Sequence, residues 1–150
     1  KNKIKIIQQT HKSNTDNLKY IYDEAEIENI IFDFEENLAD LINQSDLCIT
    51  RAGASTLAEL SIMNKPFLTI PLVSAKDNHQ FENANFYQNL GCCWIMSQKD
   101  FNDVNLEKFL NHIIMNKSEY NVKKNNLEKH NFQNSWNDIN QKILETINEN

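Results

Sequence analysis

Five short apolar runs, separated by longer segments with helical spacing, organise the first two thirds of the chain. The runs are rich in β-branched and aromatic residues and lie at residues 4–7, 30–32, 47–50, 67–70 and 92–96. Such runs favour strands. The segments between them, at residues 17–25, 37–44, 55–63 and 78–90, have the apolar spacing of helices. This alternation predicts an α/β fold, in which a parallel sheet carries helices on its faces.

After residue 97 the strand pattern stops and helical stripes replace it. One stripe consists of Leu106, Phe109, Leu110 and Ile113, and a second consists of Trp136, Ile139, Ile143 and Ile147. Both have the spacing of a helix with one buried face. The polar interval at 117–134 predicts another helix with a thin buried face. We therefore expect one domain over residues 1–150, with an α/β core at 1–97 and a helical segment at 98–150.

The composition is that of a soluble globular domain. Hydrophobic residues make up 40% of the 150 residues, and the net charge is −6. That charge argues against nucleic acid or anionic lipid as a partner, because either would require clustered Lys and Arg. The first residues lack the apolar core of a signal peptide, and no apolar run approaches the roughly 18 residues of a spanning helix. We expect a cytoplasmic protein with no membrane segment in this chain.

The three cysteines, Cys48, Cys92 and Cys93, have neither the even number nor the C-x-x-C spacing of a disulfide framework or a zinc site. Buried, inert thiols are the expectation. The acidic residues in the segments 45–60 and 65–84 lack the pairing that bound Mg²⁺ would require. No metal and no cofactor are predicted.

The segment at 45–60, SDLCITRAGASTLAEL, predicts a strand, a tight turn and a helix. Gly53 would allow an unusual backbone conformation and close approach of a ligand, and Ser55 or Thr56 would cap the helix. Free N–H groups at this helix start suit a pyrophosphate, and Glu59, one turn on, could accept hydrogen bonds from ribose hydroxyls. The alternative is a capping box between Thr56 and Glu59 on a plain surface helix.

The segment at 65–84, KPFLTIPLVSAKDNHQFENA, predicts a strand, a loop and a helix that begins near Asp77. His79, Gln80 and Asn83 are neighbours at three- and four-residue spacing near the start of this helix. Three neutral hydrogen-bonding groups in one place suit sugar hydroxyls. The alternative is an ordinary polar helix start that faces solvent.

The strings RAGASTLAEL, KPFLTIPL and KDNHQFENA, in this order and spacing, resemble the signature of the MurG-type N-acetylglucosaminyltransferases. The upstream stretch IIFDFEENLADLINQSD is also similar to the family, so the resemblance covers most of residues 4–110. It implies a Rossmann-like C-terminal domain of a two-domain glycosyltransferase of GT-B type, which binds the donor UDP-GlcNAc.

The resemblance also implies a role for each matching position. The main chain at Phe34 and Glu35 would pair with the uracil, and Glu59 would bind the ribose. The diphosphate would lie at the turn and helix start, at Ala54, Ser55 and Thr56, and Leu57 and Ala58 would also belong to the UDP-GlcNAc-binding residues. The GlcNAc hydroxyls and nearby phosphate would lie at His79, Gln80 and Asn83. Gly53 is a possible support, and Arg51 would either touch the ligand or brace the turn.

The implied reaction is inverting transfer of GlcNAc to the C4 hydroxyl of a lipid-linked muramyl-pentapeptide, in peptidoglycan precursor synthesis at the cytoplasmic face of the inner membrane. A helix dipole would take the place of a metal. The family's Gly- and Ser-rich phosphate loop and its N-terminal acceptor domain do not occur in this sequence, so we expect the catalytic base to lie outside it. The start at Lys1 suggests a truncated fragment, inactive alone. The run Gln8-Gln9-Thr10-His11 departs from the family pattern.

Two alternatives stay open at this point. A related UDP-sugar glycosyltransferase could use another acceptor, since a donor domain carries little information about what lies opposite it. A non-catalytic α/β domain could bind a nucleotide or a partner protein.

Overall fold

A computed structural model describes residues 4–73 and 78–133 of the chain. The chain divides into two compact units between Ser45 and Asp46. We call them the first unit and the second unit.

From residue 4 onward, where its description begins, the first unit contains two parallel strands and two α-helices. Its elements, in order, are β1 (Lys5–Gln9), α1 (Thr15–Glu24), β2 (Glu28–Phe32) and α2 (Leu38–Gln44), with a 3₁₀ turn at Lys12–Asn14 between β1 and α1. The two strands pair in parallel, from Lys5 opposite Glu28 to Gln9 opposite Phe32. This register brings the carboxyl ends of both strands to one edge, where the loops after Gln9 and Phe32 emerge.

In its described residues, 46–73 and 78–133, the second unit contains three parallel strands and four helices. Its elements are β3 (Cys48–Thr50), α3 (Ala54–Ile62), β4 (Phe67–Thr69), α4 (His79–Asn89), β5 (Cys93–Ile95), α5 (Asp103–Met115) and α6 (Lys117–Gln133). The strands lie in the order β3-β4-β5, and both pairs are parallel. The loop between β3 and α3 and the loop between β4 and α4 therefore leave the sheet at the same edge.

The buried core lies in the second unit. Strand β4 is covered on both faces, since Phe67, Leu68 and Thr69 are all buried. Helix α3 contributes Leu57, Leu60 and Ser61, which recur at the spacing of a single helix face. The Phe67 ring packs edge-on against Tyr87 of α4, with 5.5 Å between centroids. This packing fixes α3 and α4 against the sheet.

The predicted parallel α/β class is confirmed, although the strands are divided between two sheets instead of one. The stripe on α5 is confirmed at Ile113, which is buried. On α6 the thin buried face consists of Leu127, which is completely buried, whereas Val122 is 55% exposed. The stripe predicted at Trp136, Ile139, Ile143 and Ile147 lies outside the described residues.

Two of the cysteines meet the expectation of inert, buried thiols. Burial raises the pKa of the Cys92 thiol and raises that of Cys93 to about 12, so both stay protonated at neutral pH. Cys48 differs, because it is only half-buried at the start of β3.

Within residues 4–73 and 78–133, no helix combines the length and apolar character needed to cross a membrane. The same residues contain no group of three or more His, Cys, Asp or Glu side chains placed to hold a metal ion.

Candidate functional site

The turn between β3 and α3 differs from its prediction in where the helix begins. Helix α3 starts at Ala54, its N-cap is Gly53, and no side chain caps it. Ser55 and Thr56 therefore lie inside the first turn, and their predicted role as caps is wrong. The capping box of Thr56 and Glu59 is excluded for the same reason, since a residue inside the helix cannot act as its N-cap.

Gly53 does not adopt the unusual backbone conformation that the sequence suggested. Its φ of −69° and ψ of 134° are open to any residue. A Cβ at this position would meet only Thr56 Oγ1, at 3.8 Å, which is ordinary contact. Steric strain thus does not explain a glycine here. The other part of the prediction, that a ligand could approach the main chain closely at Gly53, is compatible with this open surrounding.

The first turn of α3 offers a row of main-chain N–H donors. The first hydrogen bond of the helix runs from the Leu57 N–H to the Gly53 carbonyl, over 3.0 Å. The N–H groups of Ala54, Ser55 and Thr56 precede that bond and have no acceptor among the described residues. Ala54 and Ser55 are exposed. These donors, at the positive end of the helix dipole, form a surface suited to a phosphate.

The two faces of α3 separate exposed residues from core residues. Leu57 is completely buried and its N–H is already bonded to the Gly53 carbonyl, so its predicted contact with the donor stays a prediction. Ala58 and Glu59 are exposed. Glu59 lies four residues after Ser55, hence on the same side of the helix, and its side-chain carboxylate has no hydrogen-bond partner within the described residues. Its carboxylate is available to a ligand bound at the helix start.

Arg51 braces the edge of the sheet. Its Nη1 atom donates to the carbonyl oxygen of Ile70 over 3.0 Å, which ties the end of β3 to the residue after β4. The Ile70 N–H in turn donates to the Thr50 carbonyl over 2.9 Å. Of the two roles considered for this arginine, the structure therefore supplies the bracing one.

The polar start of α4 is more constrained than a solvent-facing helix end. His79 is the first helical residue and is exposed, after Asn78 in a left-handed conformation with φ 57°. Gln80 Oε1 accepts a hydrogen bond from the Leu72 N–H over 3.0 Å. Asn83 Nδ2 donates to the Ala52 carbonyl over 3.0 Å. Both amide side chains are half-buried, and each uses only one of its two polar atoms within the described residues.

Three side chains bond to main-chain atoms at the carboxyl edge of the second unit: Arg51 links the end of β3 to Ile70, Gln80 links α4 to Leu72 before it, and Asn83 links α4 to the loop after β3. Each reaches main-chain atoms of another segment, 19, 8 and 31 residues away in sequence respectively. The sequence identified the three residues but not these partners, because a carbonyl or N–H group carries no sequence signal. The edge therefore combines N–H donors on α3 that have no acceptor among the described residues with a polar helix start on α4 whose Gln80 and Asn83 side chains are hydrogen-bonded.

In the first unit, the Gln8-Gln9-Thr10-His11 run forms the end of β1 and the start of the loop after it, and its side chains bond to neighbouring elements. Gln8 Oε1 accepts from the Tyr22 hydroxyl over 2.6 Å, and Gln9 Nε2 donates to the Asp33 carbonyl over 3.0 Å. His11 caps the 3₁₀ turn by accepting a hydrogen bond from the Ser13 N–H. This run, which departs from the family pattern, thus still forms an ordered loop that is bonded to α1 and to the residue after β2.

The loop after β2 borders an open cavity of about 580 Å³ within the first unit. Its lining residues are Lys12, Thr15, Asp16, Ile31, Phe32, Asp33 and Phe34. Phe34 is 77% exposed, whereas the carboxylate of Glu35 accepts a hydrogen bond from the Asn37 N–H over 3.0 Å. The Glu35 side chain therefore stabilises the approach to α2, which leaves main-chain atoms of this loop as the groups open to a ligand.

Comparison with known proteins assigns this arrangement to a family. The model of the glycosyltransferase family 28 C-terminal domain matches residues 1–143. The UDP-N-acetylglucosamine--N-acetylmuramyl-(pentapeptide) pyrophosphoryl-undecaprenol N-acetylglucosamine transferase of Pelagibacter ubique is 50% identical over 99% of this chain and 42% of its own length. The protein of the same name from Rickettsia bellii is 37% identical, over 85% of this chain and 36% of its own.

A solved structure agrees with these relatives. The crystal structure of Acinetobacter baumannii MurG superposes with a TM-score of 0.70 at 25% identity, over 84% of this chain and 37% of that one. The chain thus spans about two fifths of the length of the curated relatives it matches.

Proposed function

We propose, on the premise that this chain belongs to the glycosyltransferase family 28 C-terminal domain family, that it binds the donor UDP-GlcNAc in an N-acetylglucosaminyltransferase. The intact enzyme would transfer GlcNAc to a lipid-linked muramyl-pentapeptide, the reaction in the names of the relatives. Because the chain spans only part of those relatives, its proposed share of the reaction is to bind and orient the donor.

The observation that carries this proposal is the first turn of α3. Ala54, Ser55 and Thr56 present N–H groups without acceptors among the described residues, at the carboxyl edge of a parallel sheet. Negative charge grows on the diphosphate as the bond to the sugar breaks. N–H donors fixed at a helix start stabilise that charge without reorganising, so the same groups would bind the donor and assist departure of UDP.

The neighbouring side chains complete the proposed donor contacts. Glu59, exposed and on the same side of α3 as Ser55, would accept hydrogen bonds from the ribose hydroxyls. His79 would contact the GlcNAc hydroxyls together with the amide atoms that Gln80 and Asn83 leave unused. As a separate proposal for the first unit, main-chain atoms of the loop at Phe34 and Glu35 would pair with the uracil.

The remaining parts of the reaction are also proposals. Transfer would proceed with inversion at the anomeric carbon, and the base that activates the C4 hydroxyl of the acceptor would lie outside this chain. The lipid-linked acceptor in the names of the relatives supports a site of action at a membrane, which we propose to be the cytoplasmic face of the inner membrane.

Saturation-transfer NMR on the 150-residue chain with UDP, UDP-GlcNAc and ADP tests donor binding. We expect saturation of the uridine protons in UDP and UDP-GlcNAc and little or none in ADP. Equal saturation of ADP would indicate a general nucleotide-binding domain. No saturation of any of the three would remove donor binding from this chain.

A charged substitution at the start of α3 tests whether the diphosphate binds there. Ala54→Glu puts a carboxylate at the first position of α3, where the helix dipole favours it and the fold is retained. The same carboxylate would repel a diphosphate, so UDP binding should be lost. Asn125→Glu, on the exposed side of α6, adds the same charge outside the two loops and should leave UDP binding intact.

A further inference from the structure

The main-chain peptide between Ala52 and Gly53 is held from one side. Its carbonyl oxygen accepts the hydrogen bond from Asn83 Nδ2, over 3.0 Å, in a half-buried setting. Ala52 itself is completely buried. Because the C=O and N–H of a trans peptide point in opposite directions, this bond also fixes the direction of the Gly53 N–H, which points away from α4. The Gly53 N–H has no acceptor among the described residues.

The hydrogen bond from Asn83 to the Ala52 carbonyl is important because residue 53 is a glycine. The observed φ of −69° at Gly53 is open to every residue, but only glycine moves to positive φ at little cost. Rotation of the Ala52–Gly53 peptide would carry Gly53 to positive φ and turn the Ala52 carbonyl towards the side now occupied by the N–H. A carbonyl oxygen in that direction would repel an anion at the start of α3. Asn83 opposes this rotation.

We propose that Asn83 is a positioning residue for the diphosphate. It would hold the orientation of the Ala52–Gly53 peptide. In that orientation the Gly53 N–H donates a hydrogen bond to the phosphate together with the N–H groups of Ala54, Ser55 and Thr56. This inference rests on the proposed function and assigns the residue a part in it beyond sugar contact. Since Asn83 belongs to α4, it makes the phosphate-binding turn depend on the helix proposed to contact the sugar.

The two roles predict different affinities. A residue that only contacts a GlcNAc hydroxyl leaves UDP binding unchanged when it is replaced, because UDP lacks the sugar. A residue that orients the phosphate-binding peptide alters UDP binding and leaves the binding of uridine, which has no phosphate, unchanged. A residue that merely stabilises the fold alters both equally, through the folded fraction.

Calorimetric and NMR titrations of the 150-residue chain with UDP and uridine separate these roles. Asn83→Ala should weaken UDP binding about fivefold, the loss expected for one neutral hydrogen bond, and leave uridine binding unchanged. Asn89→Ala, an exposed asparagine at the end of the same helix, is the matched control and should change neither. Asn83→Ser, whose side chain is too short to reach the carbonyl, repeats the test if alanine lowers the folded fraction.

A second experiment tests whether Asn83 acts by preventing rotation of the Ala52–Gly53 peptide. Ala fits the observed conformation of residue 53 and disfavours positive φ, so Asn83→Ala should cost less UDP affinity in a Gly53→Ala background than in the wild type. Equal UDP affinity in Asn83→Ala and wild type, equal losses of UDP and uridine, or equal costs in both backgrounds would each overturn the inference. A wild-type chain that does not bind UDP would instead overturn the proposed function, and this inference with it.

Discussion

Replacing Glu59 with alanine should weaken UDP binding and leave the fold unchanged. The carboxylate is exposed on the face of α3 opposite Leu57 and Leu60, and it has no partner among the described residues. Its loss therefore removes no internal contact, and alanine is at least as good a helix former. We expect the free energy of unfolding to stay within about 0.5 kcal/mol of wild type.

The binding cost follows from the proposed contact with the ribose. A hydrogen bond from a hydroxyl to a charged acceptor contributes about 1.5 to 3 kcal/mol, or roughly tenfold to a hundredfold in Kd. Glu59→Gln keeps an oxygen acceptor without the charge and should give an intermediate loss. Calorimetric titration with UDP measures both variants, and urea denaturation checks the fold.

A matched control separates the contact from a general effect of charge. Glu107→Ala removes one carboxylate from an exposed position on α5 and should leave the Kd for UDP unchanged. If Glu59→Ala binds UDP as tightly as wild type, the ribose contact is wrong and Glu59 is an ordinary surface residue of α3.

Two further predictions concern stability. Gly91 has a φ of +70°, and a Cβ there would lie 2.6 Å from Asn126 Nδ2, so Gly91→Ala should lower the urea midpoint by the equivalent of about 1 to 3 kcal/mol; an unchanged midpoint would contradict this. Hydrogen bonds from the Trp94 indole, at 2.7 Å, and then from His112 lower the pKa of Glu119 in the folded chain. The stability this adds is complete above the ordinary carboxyl pKa and is lost as the pH falls through the lowered value. Stability measured from pH 6 down to pH 3 should therefore fall less in Glu119→Gln than in wild type, and parallel curves would contradict the assignment.

The order of elements could be predicted because buried parallel strands are short continuous apolar runs, whereas the helices between them have a wider period. Strand β4, with Phe67, Leu68 and Thr69 all buried, has this pattern most clearly. The exposed ends of β1 and β2 were harder to place, because polar residues such as Gln8 and Gln9 extend the strand beyond its apolar part.

The start of α3 shows what a local pattern leaves open. Ser55 and Thr56 are typical N-cap residues, but the helix begins before them, at a glycine that has no side chain with which to cap. Leu57 lies within the matching family segment, yet its side chain is buried. Which face of a helix is buried depends on what packs against it, and the segment alone does not contain that information.

Residues of the polar edge could be identified, but their contacts could not. The sequence placed Arg51, Gln80 and Asn83 near the candidate site, and the structure gives all three main-chain partners in other segments. Such partners depend on how two loops meet at the edge of the sheet. The sequence could predict that edge, but not the pairing of individual atoms across it.

The proposed function depends most on the main-chain N–H groups at the start of α3 as the site of the diphosphate. A ¹H–¹⁵N NMR titration of the 150-residue chain with UDP-GlcNAc observes those groups directly. The amides of Ala54, Ser55 and Thr56 should show the largest shift changes, and uridine, which lacks the diphosphate, should not reproduce them. Binding of UDP-GlcNAc that leaves these three amides unchanged would contradict the account.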